Sequence, residues 1–197
     1  MNLFYKLFAK NNRENFDISN LIWSWIGSFL GLFAIAFFHR NFLDDSDLTL
    51  VLSSFGASAV LIYGAINSPL AQPKNLIGGH IISAIIGVFC YKLFGENLLF
   101  AAAIAVSSSI LVMQLTLTLH PPGGATSLIA VIGGEQIHEL EFFYILIPVF
   151  SGALILFLIA FVVNNIPKNR AYPESFKNYL KKKYQRYKRR SLKRDKK

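Results

Sequence analysis

Cysteine and charge are what this chain has least of. Of 197 residues one is cysteine, Cys90, which excludes a disulfide framework within the chain and a cysteine-based zinc site. Its place in an apolar run marks a buried, inert thiol. Charged residues make up 16% of the chain against 53% hydrophobic, with a mean hydropathy of +0.43, and the charges gather outside the apolar runs. That pattern excludes a soluble domain and indicates a membrane protein. No apolar run of signal-peptide length precedes the stretch Asn11 to Asp17, so no cleavable leader is expected. No hydroxyl or thiol has an acid or base partner nearby, and no group has metal-ligand spacing. The expectation is therefore no enzyme, no metal and no cofactor.

What the chain does have is long apolar stretches, at 21–38, 48–66, 76–94, 98–119 and 142–163, each near the length a spanning helix needs. The fourth admits two readings. It is one helix followed by a short re-entrant segment, or a helix from 98 to about 113 followed by a second, broken crossing from about 115 to 134. The acidic residues Asp44, Asp45, Asp47, Glu96, Glu135, Glu139 and Glu141 fall in loops that share one side if there are six crossings. The basic C-terminal run then shares the other side with Lys6, Lys10 and Arg13, as the positive-inside rule requires of the cytoplasm. Six crossings are therefore preferred over five.

The break itself is HPPGGATSL, from His120 to Leu128, which puts two prolines and two glycines inside an apolar stretch. Irregular chain survives at membrane depth only where protein buries it or where it lines a cavity. His120 precedes a proline and is biased away from helical geometry. Pro121 and Pro122 suit the first turn of a restarting helix. Gly123 and Gly124 let an anion approach the backbone, and Ala125, Thr126 and Ser127 bring N–H groups and hydroxyls to the same helix start. A second string, GASAVLIYG at 56–64, resembles GATSLIAVIGG at 124–134. Aligning Gly56 with Gly124 reads the chain as two three-helix repeats of opposite orientation, a pattern in which interrupted helices meet near the midplane. The opposing interruption then offers Ser53, Ser54, Gly56, Ala57 and Ser58. The alternative is that small-residue strings resemble each other because such residues pack helices.

Other polar groups lie near membrane depth. Gln72, Asn75 and His80 follow one another in a Pro- and Gly-rich connection, and His80 sits inside the third apolar stretch, where an ionisable residue is a functional candidate. His80 and His120 together suggest proton coupling; His80 at the headgroup boundary is the plainer alternative. Gln114, Thr116 and Thr118 line one face if the chain is extended there, although threonine more commonly bonds back to its own helix. Ser107, Ser108 and Ser109 read as helix packing. His39 and His138 fall at loop positions and read as surface residues.

Three regions follow: a cytoplasmic segment 1–20, a membrane domain 21–166 and a basic tail 167–197. Lys168 to Lys197 carries 14 Lys or Arg against Glu174 and Asp195, a net +12, while the whole chain carries +9. Such a tail suits an anionic inner leaflet or serves only to fix orientation. Nucleic-acid binding has no fold to support it.

The segments from Phe55 to Cys90 and from Leu117 to Gly134 resemble the HPP family of integral membrane proteins, named for a triplet that stands here as His120-Pro121-Pro122. The resemblance covers about residues 20 to 165 and leaves out the basic tail. It implies a small multi-spanning membrane protein, and chloroplast and cyanobacterial members are associated with nitrite transport. Gly123 and Ser127 stand where many members have alanine. The combined expectation is an all-α membrane protein of about six transmembrane segments, arranged as two inverted three-helix repeats with interrupted helices. It would be a homodimer in the inner (plasma) membrane with both termini cytoplasmic, carrying a small monovalent anion, nitrite first among them. A scaffold presenting the basic tail is the alternative, and an intramembrane enzyme lacks partners for its two histidines.

Overall fold

The computed structural model describes residues 17–176 together with 178, 184 and 185. Among them there is no strand. Helix α1 spans Ile18–His39, α2 Asp45–Ala59, α3 Pro73–Phe94, α4 Leu98–Leu115, α5 Pro121–Ile132, α6 Glu135–Leu140 and α7 Ser151–Val163. A π-turn, Val60–Gly64, continues α2, and a second, Leu146–Phe150, leads into α7. Five helical stretches are long and apolar enough to cross a membrane: Ile18–His39, Asp45–Gly64, Pro73–Phe94, Leu98–Leu115 and Glu135–Val163. Helix α5 is apolar but shorter; its 12 residues rise only about 18 Å.

Local chemistry sets the helix ends. Asp17, Asp44 and Asn97 cap α1, α2 and α4 by accepting the N–H groups of Ser19 at 2.9 Å, Asp47 at 2.8 Å and Phe100 at 3.1 Å, which satisfies donors the helix cannot. That N–H and the Ser46 hydroxyl hold the Asp44 carboxyl below its ordinary pKa. Pro73 opens α3 and Pro121 opens α5, where a missing N–H costs nothing. Ile147, ahead of Pro148, is driven to extended geometry (φ −131°, ψ 119°) and kinks the approach to α7.

Side-chain contacts give each helix its direction. A Cβ on Gly27 would meet Val163 and one on Gly31 would meet Leu156, while His39 bonds Ser151, so α1 and α7 run antiparallel. Gly79 lies against His120, Gly123 against Gly79 and Ser83, and Gly87 against Ser127 and Ala130, so α3 and α5 run parallel. Asp47 reaches Gly134 and Ile137 while Ser54 reaches Pro122, so α2 opposes α5. The two ends of the described bundle lie together: Asn169 bonds Asp17, and the Arg170 guanidinium donates to the Asn20 carbonyl at 2.9 Å. Packing extends past residue 166, because Tyr172 is fully buried, and α1 begins two residues ahead of position 20. The core is mostly aliphatic and aromatic, with Phe55, Tyr63 and Tyr144 among its largest members. Most of the tail, and residues 1–16, lie outside the described residues.

Candidate functional site

The chain leaves the helix between Leu115 and Pro121. Helix α4 ends where Thr118 N–H bonds Met113 O at 2.9 Å and Leu117 N–H bonds Gln114 O at 3.2 Å, the paired bonds of a Schellman motif. Leu117 takes the left-handed position that glycine usually fills, at φ 56°. The break turns inward at Thr118 and His120, 7% and 0% exposed, while Thr116 and Leu117 face outward. It lies against Gly78 and Gly79, about 9 Å along α3 from its first residue. Gly79 and Gly123 permit this approach, since a Cβ on Gly123 would stand 2.9 Å from Ser83 Oγ and 3.0 Å from Gly79 O.

Helix α5 restarts with His120 as its cap in extended geometry (φ −138°, ψ 103°). Its first two positions, Pro121 and Pro122, have no N–H, and the Gly123 N–H already bonds His120 O at 2.8 Å. The backbone donors expected at this helix start are thus missing or used. What gathers here instead is side chains. Ser58 Oγ lies 2.8 Å from His80 Nε2 and 2.9 Å from His120 Nε2. His80 Nδ1 is 2.7 Å from Thr126 Oγ1, which is 3.0 Å from Ser54 Oγ. Ser54 also donates to Pro122 O at 2.9 Å, and His120 Nδ1 donates to Leu70 O at 2.8 Å. Ser54, Ser58, His80, His120 and Thr126 are each 2% exposed or less. The imidazole rings lie 5.0 Å apart between centroids. Among the described residues no group of three His, Cys, Asp or Glu is gathered that could hold a metal ion.

Of the expected site residues, then, Ser54, Ser58, His80, His120 and Thr126 meet. Pro122 contributes its carbonyl. Others do not join them. Asn75 donates to Leu119 O at 2.8 Å and braces the break. Gln72 bonds the carbonyls of Ile66 and Ser68 and the Glu174 N–H, and so holds the adjoining turn. Ser127 bonds back to Gly124 O; Pro121 is exposed, and Gly124 and Ala125 are half-buried.

The expected interruption at Gly56 to Ser58 is corrected. Helix α2 runs unbroken through these residues, because Gly-Ala-Ser without a proline keeps every backbone N–H and has no reason to leave the helix. Ser53 and Ala57 face outward, and a Cβ on Gly56 would meet nothing within 4 Å. His39 is corrected too: it is fully buried, bonded to Ile35 O and Ser151 Oγ at 2.8 Å each. His138 is half-buried and stacks on Tyr91 at 3.7 Å. Thr116 bonds back to Val112 O at 2.7 Å, and also meets Thr118 Oγ1 at 2.8 Å.

Three contributors had no clear sequence signal. Tyr144 donates to Thr126 O at 3.0 Å from a stretch that reads as plain apolar helix. Asp47, 1% exposed, receives the Gly134 N–H at 2.6 Å though its acidic neighbourhood reads as a loop. Arg170, 8% exposed, donates to the carbonyls of Asn20 and Tyr63, to Ser24 Oγ and to Asn164 Oδ1. Burial lowers its pKa and raises that of Tyr172, whose hydroxyl donates to Ala71 O at 2.7 Å. Arg170 thus binds the segment after α7 to α1 and the first π-turn, and Tyr172 binds it to the turn that carries Leu70.

Two proteins of Dictyostelium discoideum, each named only as a transmembrane protein, are similar to this chain. They are 48% and 45% identical over 160 residues, which is 80% of this chain in each case and 56% and 51% of the relatives. The chain thus spans about half the length of the curated relatives it matches. No solved structure matches it. The sequence also matches the family described as HPP, transmembrane region, over residues 13–173, and the chain therefore belongs to the HPP transmembrane family, as a multi-pass membrane protein.

Proposed function

We propose that this protein is a membrane transporter for a small monovalent anion, with nitrite the first substrate to test, and that the solute is held by the side-chain cluster at the break. The observation that carries the reading is the convergence of two histidines and three hydroxyls in a bundle whose neighbouring surfaces are apolar. Buried polar side chains cost free energy in lipid and are kept where they serve a pathway. Family membership supports membrane transport as the class. The lack of free backbone N–H groups at the start of α5 favours imidazole and hydroxyl donors over a helix-terminus site, which fits a compact anion with few lone pairs to satisfy.

Six passes in two inverted units, α1–α2–α3 and α4–α5–α7, belong to this reading. The antiparallel packing of α1 on α7 and of α2 on α5, and the parallel packing of α3 on α5, support it, as does the meeting of both ends of the bundle. The same reading has an inner (plasma) membrane, cytoplasmic ends, a homodimer, anionic lipid under the basic tail and no enzymatic step. Nitrite uptake into proteoliposomes, with nitrate, formate and bicarbonate as competitors, is the test. Saturable entry lost in Ser58→Ala supports the site; folded protein that admits no anion above protein-free vesicles removes the transport reading.

A further inference from the structure

We propose that the histidine–hydroxyl cluster takes up one proton with each anion, making transport an electroneutral proton–anion symport; this rests on the transport reading above. The argument is a donor count. Leu70 O can only accept, so His120 Nδ1 carries a proton. Neutral His120 then accepts at Nε2, and the Ser58 hydroxyl is its donor. With its one proton committed, Ser58 Oγ accepts from His80 Nε2–H. His80 Nδ1 therefore accepts from the Thr126 hydroxyl, while the Ser54 proton goes to Pro122 O. Every link points the same way, from Thr126 through His80, Ser58 and His120 to Leu70.

Such a chain can hold one more proton without orphaning a group. A proton at His120 Nε2 turns that atom into a donor to Ser58 Oγ, and the Ser58 hydroxyl swings to Ser54 O, 3.3 Å away. A proton at His80 Nδ1 reverses the bond to Thr126; the Thr126 hydroxyl then points to Ser54 Oγ, whose own proton stays on Pro122 O at 2.9 Å. Hydrogen bonding permits the charged state in either place. Charge does not, unless something negative arrives.

Among the described residues no carboxylate faces the cluster. On α2 the buried carboxylate is Asp47, bonded to the N–H groups of Gly134 and Ile137 and about 16 Å up the helix from Ser58. From the segment before α7, Tyr144 presents a neutral hydroxyl bonded to Thr126 O. On the turn, Tyr172 reaches only Ala71 O. Helices α4 and α7 contain no titratable side chain, and His39 on α1 is bonded to Ile35 and Ser151. The anion is thus the counter-charge: a proton from the medium on the feeding side bonds to an imidazole nitrogen, the anion enters beside it, and both leave on the other side with the ring neutral again.

The test uses the full chain in proteoliposomes holding a pH-sensitive dye, with nitrite added outside at neutral pH and protein-free vesicles as baseline. Lumen acidification of one proton per nitrite, at a rate indifferent to a potassium–valinomycin potential, supports the proposal. Loss of that acidification in His120→Gln, with retention in Ser107→Ala, an exposed hydroxyl bonded back to its own helix, assigns it to the cluster. Nitrite entry without acidification, accelerated by an inside-positive potential, overturns coupling while leaving transport intact. No nitrite entry above baseline from folded protein overturns transport itself, and the coupling with it.

Discussion

Gly56 and Gly124 stand in similar strings, yet α2 runs straight through the first while the chain ahead of the second leaves the helix for five residues, Thr116 to His120. The strings share glycine, alanine and hydroxyls; they differ in what precedes them. Pro121 and Pro122 cannot accept the geometry of a helix interior, whereas Ser53 and Ser54 can. The two segments still meet, because Ser54 and Ser58 occupy one face of α2, a turn apart, and oppose Thr126 and His120. A continuous helix thus supplies hydroxyls at helical spacing, and a broken one supplies His120 from its restart. Small residues bring helices together; prolines decide where the backbone opens.

This contrast can be broken most severely at His120. Replacing it with alanine leaves Ser58 and Leu70 O short of a partner, at about 1–3 kcal/mol for each buried group. Nitrite uptake should vanish, and thermal unfolding in detergent should show the largest loss of stability of the four variants here. Next is Gly123→Ala, whose Cβ would press on the Gly79 carbonyl and Ser83; the expected cost is about 1–3 kcal/mol, read as a lower melting temperature. An unchanged melting temperature would mean that α3 and α5 are not this close. Leu117→Gly should stabilise by about 1 kcal/mol by relieving the left-handed position, and chemical denaturation can report it; a loss would argue against the Schellman ending of α4. The smallest effect belongs to Gly56→Ala, which meets open space inside a helix and should gain about 0.5–1 kcal/mol with uptake unchanged. Loss of uptake there would return Gly56 to the site.

Much of this was legible beforehand. The apolar stretches give the long helices, and the HPP triplet marks the restart of α5. The residues of the cluster are also visible, but their partners are not separable from neighbours. Ser54 and Ser58 share a face that excludes Gly56 and Ala57 only if α2 is continuous, and the likeness to the second string argued otherwise. The end of α4 was hidden because Leu117 fills a place where glycine would have announced it. The prolines that locate the break also strip the helix start of the donors it was expected to offer, a subtraction that the Gly123 N–H completes. Arg170 reads as one more charge in a basic run; two of its four acceptors are backbone carbonyls, which composition cannot register.

Those carbonyls also set an order of events during synthesis. Arg170 follows Asn20 by 150 positions, so the ribosome has made all of α1 to α7 before the groups on α1 and in the first π-turn meet their donor. Helix α1 can enter the bilayer early, being apolar with few of its residues buried by the rest of the bundle, but it cannot be locked until the segment after α7 arrives. A nascent chain stalled before residue 170 would carry the Asn20 and Tyr63 carbonyls without their guanidinium.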